Sequence, residues 1–147
     1  MLLILFSNIL VTAFLVGLIW FVQIVHYPIF REVGKQNFHQ FHTAHTHLTG
    51  KIVILPMILE LGLSFWLVWE SYNFYSIIAL LITILLWILT ALIFVPLHGK
   101  LADKQKGYDL KSIEKLVFRN WFRTFFWSLR LLLLIYMITK VTNNLYM

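Results

Sequence analysis

The sequence has no cysteine and little charge. Six acidic side chains stand against twelve Lys and Arg in 147 residues, and charged residues make up 12% of the chain. Without cysteine there are no disulfides, no thiolate metal ligands and no thiol nucleophiles. The charge content is about half the ~25% of an ordinary soluble domain, which excludes a conventional water-exposed surface. What fills the chain instead is apolar: 61% hydrophobic and 17% aromatic residues, with a mean hydropathy of +0.83.

A hydrocarbon core of about 30 Å is crossed by about 20 apolar residues in helix. Four tracts meet that length, from about Leu2 to Val25, Ile52 to Trp69, Tyr75 to Leu97 and Trp121 to Ile138. The first has no basic leader and a longer apolar run than a signal peptide, so it reads as a retained helix. The expected fold is all-α, an integral membrane four-helix bundle forming one domain over residues 1–147, its helices antiparallel neighbours across short loops.

Four spans place both termini on one side and the first and third loops on the other. Arg31, Lys35, Lys51, Lys100, Lys104, Lys106, Lys111, Lys115, Arg119 and Arg123 belong to the loop side, while the terminal side has only Lys140. Short loops rich in Lys and Arg stay cytoplasmic. The termini are therefore expected at the exterior or periplasmic face of a bacterial inner membrane, with both long loops in the cytoplasm. The net charge of +6 needs no nucleic-acid partner, because basic loops beside an anionic leaflet account for it.

The stretch "HQFHTAHTH" holds His39, His42, His45 and His47; His26 ends the first span and His98 the third. All six histidines thus fall on the expected cytoplasmic side. Pro28 biases Tyr27 away from helix, so the first helix should stop there. A new helix is expected to start near Asn37 and run into the second span. Three- and four-residue spacing then gives each helix one polar-tinged face. These faces are Asn8, Thr12, Leu15, Ile19, Gln23 and His26; His42, His45, Thr49, Val53, Pro56 and Glu60; Thr83, Trp87, Thr90, Phe94 and His98; and Asn120, Arg123, Trp127 and Arg130. With those faces inward, His26, His42, His45 and His98 converge as candidate ligands for iron, copper, zinc or haem. His39 lies at the edge of its face and His47 points away, so both are weaker candidates.

Glu60 and Arg130 fall eight and nine residues into their spans, roughly 12–15 Å down at 1.5 Å per residue. An intramembrane charge costs at least ~2.5–3.5 kcal/mol, so the two are expected to pair. The same pair is a candidate substrate or proton site, the alternative being a contact that only fixes helix register. Tyr108 to Arg119 alternates charge with apolar residues, as a short interfacial amphipathic helix would. Arg123 fits either a headgroup anchor or a ligand-binding role. Trp127 can line a flat cavity, although core packing is the commoner reason for such a residue.

"VPLHGKLA", followed about twenty residues later by "NWFRTFFWSLR", resembles the anthrone-oxygenase-like family of small four-helix membrane proteins. Pro96, Leu97, Asn120, Arg123 and Thr124 match that pattern, and His98 replaces its usual Asn. "GLIWFVQIVHYPIF" is also similar to the first span of the HemJ-type protoporphyrinogen oxidases. The resemblance implies oxidation of a flat, lipophilic, oxygen-sensitive molecule such as a polycyclic phenol, porphyrinogen or quinone. The expectation is a membrane oxidoreductase with a His-bound metal or haem, in which Glu60 carries protons and Arg123 and Arg130 hold an anionic or carbonyl group. Asn120 and Trp127 would then face the cofactor. A binding or transport protein for a metal ion, haem or small lipophile, paired as a homodimer to make a pathway, and an accessory membrane subunit are the competing readings.

Overall fold

The computed structural model describes residues 1–103 and 108–143. It contains four long helices, α1 (Leu2–Ile29), α2 (Lys35–Glu70), α3 (Phe74–Leu101) and α4 (Leu110–Asn143), and no strand among the described residues. All four are long and apolar enough to cross a membrane. Their outward faces carry Phe6, Phe14, Phe65, Trp66, Leu92, Phe118, Phe122, Phe125 and Leu132, all exposed. Apolar surface of that extent suits acyl chains and not water.

The helices form a ring in which α1 packs on α2 and α4, and α3 completes the circuit between them. Side-chain contacts give the directions. Thr12 meets Glu60 while His26 meets His45, and Gln23 meets Asn120 while Asn8 meets Arg130, so α1 runs antiparallel to both neighbours. Three buried apolar layers stack along the axis. One, around Leu5, Leu67, Ala79 and Leu134, lies at the end bearing Met1. Leu15, Met57, Leu86 and Trp127 occupy the middle, and Phe30, Phe38, Leu101 and Leu116 the far end.

Two local features differ from expectation. Pro28 does not stop α1: Val22–His26 winds as a π-helix and Tyr27–Ile29 continues helically, with Tyr27 at φ −68°, ψ −39°. A proline ring collides with the carbonyl four residues back. The wider π turn just before it moves that carbonyl aside. The device recurs in α3, where Thr90–Phe94 is a π-helix immediately before Val95 and Pro96. The second difference concerns the expected interfacial helix from Tyr108 to Arg119, whose residues from Leu110 onward are instead the first turns of α4. Ile113 and Leu116 are fully buried, so this segment is held in the bundle.

Candidate functional site

Two polar clusters lie inside the bundle, at different depths along its axis. The first surrounds Arg130, whose guanidinium is fully buried. Its Nη1 donates to Glu60 Oε1 at 3.0 Å and to Thr12 Oγ1. Nη2 donates to Asn8 Oδ1 at 2.8 Å and Ser64 Oγ at 2.7 Å, and Nε donates to the Ala79 carbonyl at 3.4 Å. Arginine has five N–H donors, and here all five are used. The Glu60 carboxylate is equally occupied, accepting from Thr12 Oγ1 at 3.0 Å and from Trp127 Nε1 at 3.1 Å as well. Asn8 in turn donates to the carbonyls of Ile4 and Leu63. All four helices contribute, and each polar atom has its partner inside the protein. The expected Glu60–Arg130 pair is present, in a setting with no donor left for a substrate.

The second cluster is at the end of the bundle where α1 passes into the loop to α2. His26 Nε2 and His45 Nδ1 face each other at 2.5 Å, and Thr49 Oγ1 lies 3.1 Å from the same Nδ1. His42 Nε2 and His98 Nδ1 are 3.0 Å apart, and the Tyr27 hydroxyl is 3.1 Å from His98 Nε2. The ring centroids of His42 and His45 lie 6.3 Å apart, and those of His45 and His98 5.7 Å. Imidazoles from α1, α2 and α3 are thus gathered as two hydrogen-bonded pairs. They do not form a coordination shell: among the described residues no three His, Asp or Glu side chains are set to hold one metal ion. His42 Nδ1 is buried and unpartnered. His39 is half-buried and His47 exposed, so neither joins the two pairs.

Between this cluster and the Arg130 network runs a cleft of about 270 Å³ between α2 and α3, bordered by Tyr27, His45, Thr49, Phe94, His98 and Arg123. A narrower branch of about 30 Å³ shares Tyr27, Thr49 and Arg123 and reaches Ile19 and Trp127. Arg123 is 7% exposed, and its cation sits 4.5 Å from the centroid of Phe94 and 5.0 Å from that of Trp127. The Tyr27 hydroxyl is its hydrogen-bonding neighbour, while Arg123 Nε has no partner. The three ion pairs among the described residues are Met1 with Glu70, Lys100 with Asp109 and Arg130 with Glu60. Arg123 is in none of them.

Asn120, expected to face a cofactor, instead donates to Gln23 Oε1 at 2.9 Å, and Gln23 donates to the Val117 carbonyl. It ties α4 to α1 away from the cleft. Trp127 joins the Arg130 network to the cleft, its indole N–H on Glu60 and its ring under Arg123. Sequence reasoning passed over Tyr27, Thr49 as a cleft residue, and Ser64. Ser64 was within reach, since it extends the Glu60 face by four residues.

The geometry defines a four-helix bundle of membrane-spanning proportions with a histidine- and arginine-lined cleft at one end. No family model, curated protein or solved structure matches the chain. The anthrone-oxygenase-like resemblance therefore rests on the residues quoted for it alone.

Proposed function

We propose that this chain is a membrane-embedded oxidoreductase that takes a flat lipophilic molecule sideways into the cleft between α2 and α3. One observation carries the reading: His45, His98 and Tyr27 border an apolar cleft and are joined to further imidazoles behind them. Imidazole exchanges protons near neutral pH and is the commonest general acid or base. Tyr27, His98 and His42 stand in series at 3.1 and 3.0 Å, so a proton taken from the substrate at the cleft passes along them toward the bundle end. The bond to that proton breaks and its electron pair stays on the substrate. The electron-rich anion of a hydroquinone-type phenol then gives two electrons to dioxygen, the co-reactant. Dioxygen takes up the relayed proton and the substrate's second hydroxyl proton and leaves as hydrogen peroxide, and the substrate leaves as its quinone.

The metal or haem expected on His26, His42, His45 and His98 would find both nitrogens of His98 engaged, by His42 and by Tyr27, and no step above passes through it. Glu60 and Arg130 take no part in the chemistry, since their hydrogen bonds close on the protein. The excess of Lys and Arg in the two long loops supports a cytoplasmic side for the histidine end.

A non-enzymatic carrier of a small lipophile is the second reading, favoured by the laterally placed cleft and the lack of a shared coordination point. Oxygen uptake by the purified full chain, supplied with a polycyclic phenol and checked for bound iron, copper, zinc and haem, separates the two. The oxidase reading expects uptake that falls at least about a hundredfold in His98→Ala, the scale of losing a general acid–base group. Uptake absent across polycyclic phenols, porphyrinogens and quinols, with and without added metal or haem, would leave the carrier reading.

A further inference from the structure

We propose that Arg123 makes the cleft a site for the carboxylate of a lipophilic acid. This rests on the cleft being the ligand site but not on any oxidation occurring there. Arginine stays charged in every protein setting, so a buried guanidinium needs a counter-charge or must be offset by its surroundings. Arg130, seven residues along the same helix, has Glu60 and four further acceptors. Arg123 is 93% buried by the same measure and has only two aromatic faces and one phenol. Cation–π contacts contribute roughly 0.5–2 kcal/mol each, and they offset the charge without neutralising it.

The position of the unused donor identifies the ligand. Nε is buried and without a partner in a side chain that lines the cleft, and in a guanidinium its N–H lies parallel to one on the adjacent Nη along a single edge. That edge matches two oxygens of one planar acid, the side-on fork of an arginine–carboxylate pair. A phenol or alcohol offers one oxygen and leaves half of the fork empty. Val53, Phe94 and Val95, interspersed with Thr46, Thr49 and Thr90 in the lining, give a hydrocarbon body apolar contacts behind the acid group. Tyr27, His45 and His98 are the other titratable groups on the cleft wall, and a phenol and two imidazoles supply no negative charge at neutral pH.

The test is equilibrium binding of 9-anthracenecarboxylate and 9-anthracenemethanol, read by fluorescence, to the full chain in nanodiscs of zwitterionic lipid. The two probes share one ring system and differ in the acid. The carboxylate should bind at least about tenfold more tightly than the alcohol, a modest return for a charge-assisted bidentate pair. Arg123→Gln should remove that difference. Arg123→Lys should retain part of it, as a point charge without the fork, and it decides the matter if Arg123→Gln does not fold. Val53→Trp, which fills the cleft, should weaken both probes.

Equal binding of the two probes by the unaltered chain would overturn the proposal. So would preference for the acid that persists in Arg123→Gln or is unchanged in Arg123→Lys. Loss of the preference when the nanodiscs contain anionic phospholipid would overturn it in favour of a lipid phosphate at Arg123. Arg123-dependent carboxylate binding without oxygen uptake would sink the oxidase reading alone, and uptake without acid preference would sink only this one.

Discussion

Arg123 and Arg130 stand two turns apart on one helix, both buried, and differ in almost everything else. Arg130 meets five acceptors drawn from the other three helices, one of them a carboxylate. Arg123 meets two rings and a phenol beside a cleft, with one donor unused. A cation whose hydrogen-bonding capacity closes on the protein builds structure, because removing any partner strands a charge in a low-dielectric interior. One that faces a cavity with capacity to spare is available to something else. The same residue type at the same burial therefore serves different ends, and the partners decide which.

The largest expected effect breaks the closed cluster. Arg130→Gln or Glu60→Gln leaves the other member buried and uncompensated, and either should destabilise the bundle by about 3–5 kcal/mol, measured as loss of helical, monodisperse protein in detergent on heating. Asn8→Ala is next. It strips an acceptor from Arg130 and a donor from two carbonyls, so a cost of roughly 1–3 kcal/mol is expected in the same assay. Trp127→Phe keeps a ring under Arg123 but removes the N–H on Glu60, and about 1 kcal/mol should be lost.

Arg123→Gln sharpens the comparison from the other side. It should leave thermal stability within about 1 kcal/mol of the unaltered chain, because the two cation–π contacts and the Tyr27 hydrogen bond that go are offset by removing a buried charge that has no counter-charge, while carboxylate binding falls. The smallest effect belongs to the exposed Lys100–Asp109 pair. The Ser112 hydroxyl first, then Lys100, hold the Asp109 carboxyl below its ordinary range. Its small contribution is thus present at neutral pH and fades as acid protonates the folded-state carboxylate, below about 3.8. Asp109→Asn should be hard to distinguish from the unaltered chain in thermal unfolding at pH 3 and only slightly weaker at pH 7.

The arrangement of the helices was legible because apolar runs and polar spacing are both one-dimensional signals. Asn8, Thr12, Glu60, Arg123, Trp127 and Arg130, placed on inward faces by spacing alone, are all buried. Pairing of Glu60 with Arg130 followed from depth and charge. What sequence could not supply was the partner count on each arginine, which depends on where Ser64 and the Ala79 carbonyl come to rest. The role of Tyr27 was hidden for a related reason. Pro28 reads as a helix stop, and only the π turn before it keeps Tyr27 helical and turned toward His98. For the histidines, spacing on a helix fixes a face and not the direction of a ring nitrogen. The pairs His26–His45 and His42–His98 were beyond its reach.

The most direct test of the contrast between the two arginines is thermal unfolding of the full chain and of Arg123→Gln, each with and without saturating 9-anthracenecarboxylate. A ligand that binds only the folded state raises its stability by mass action. The account predicts similar melting temperatures for both proteins without ligand, and a clearly larger rise on adding it for the unaltered chain than for Arg123→Gln. A melting temperature for Arg123→Gln as low as that of Arg130→Gln, or an equal ligand-induced rise in both proteins, would contradict it.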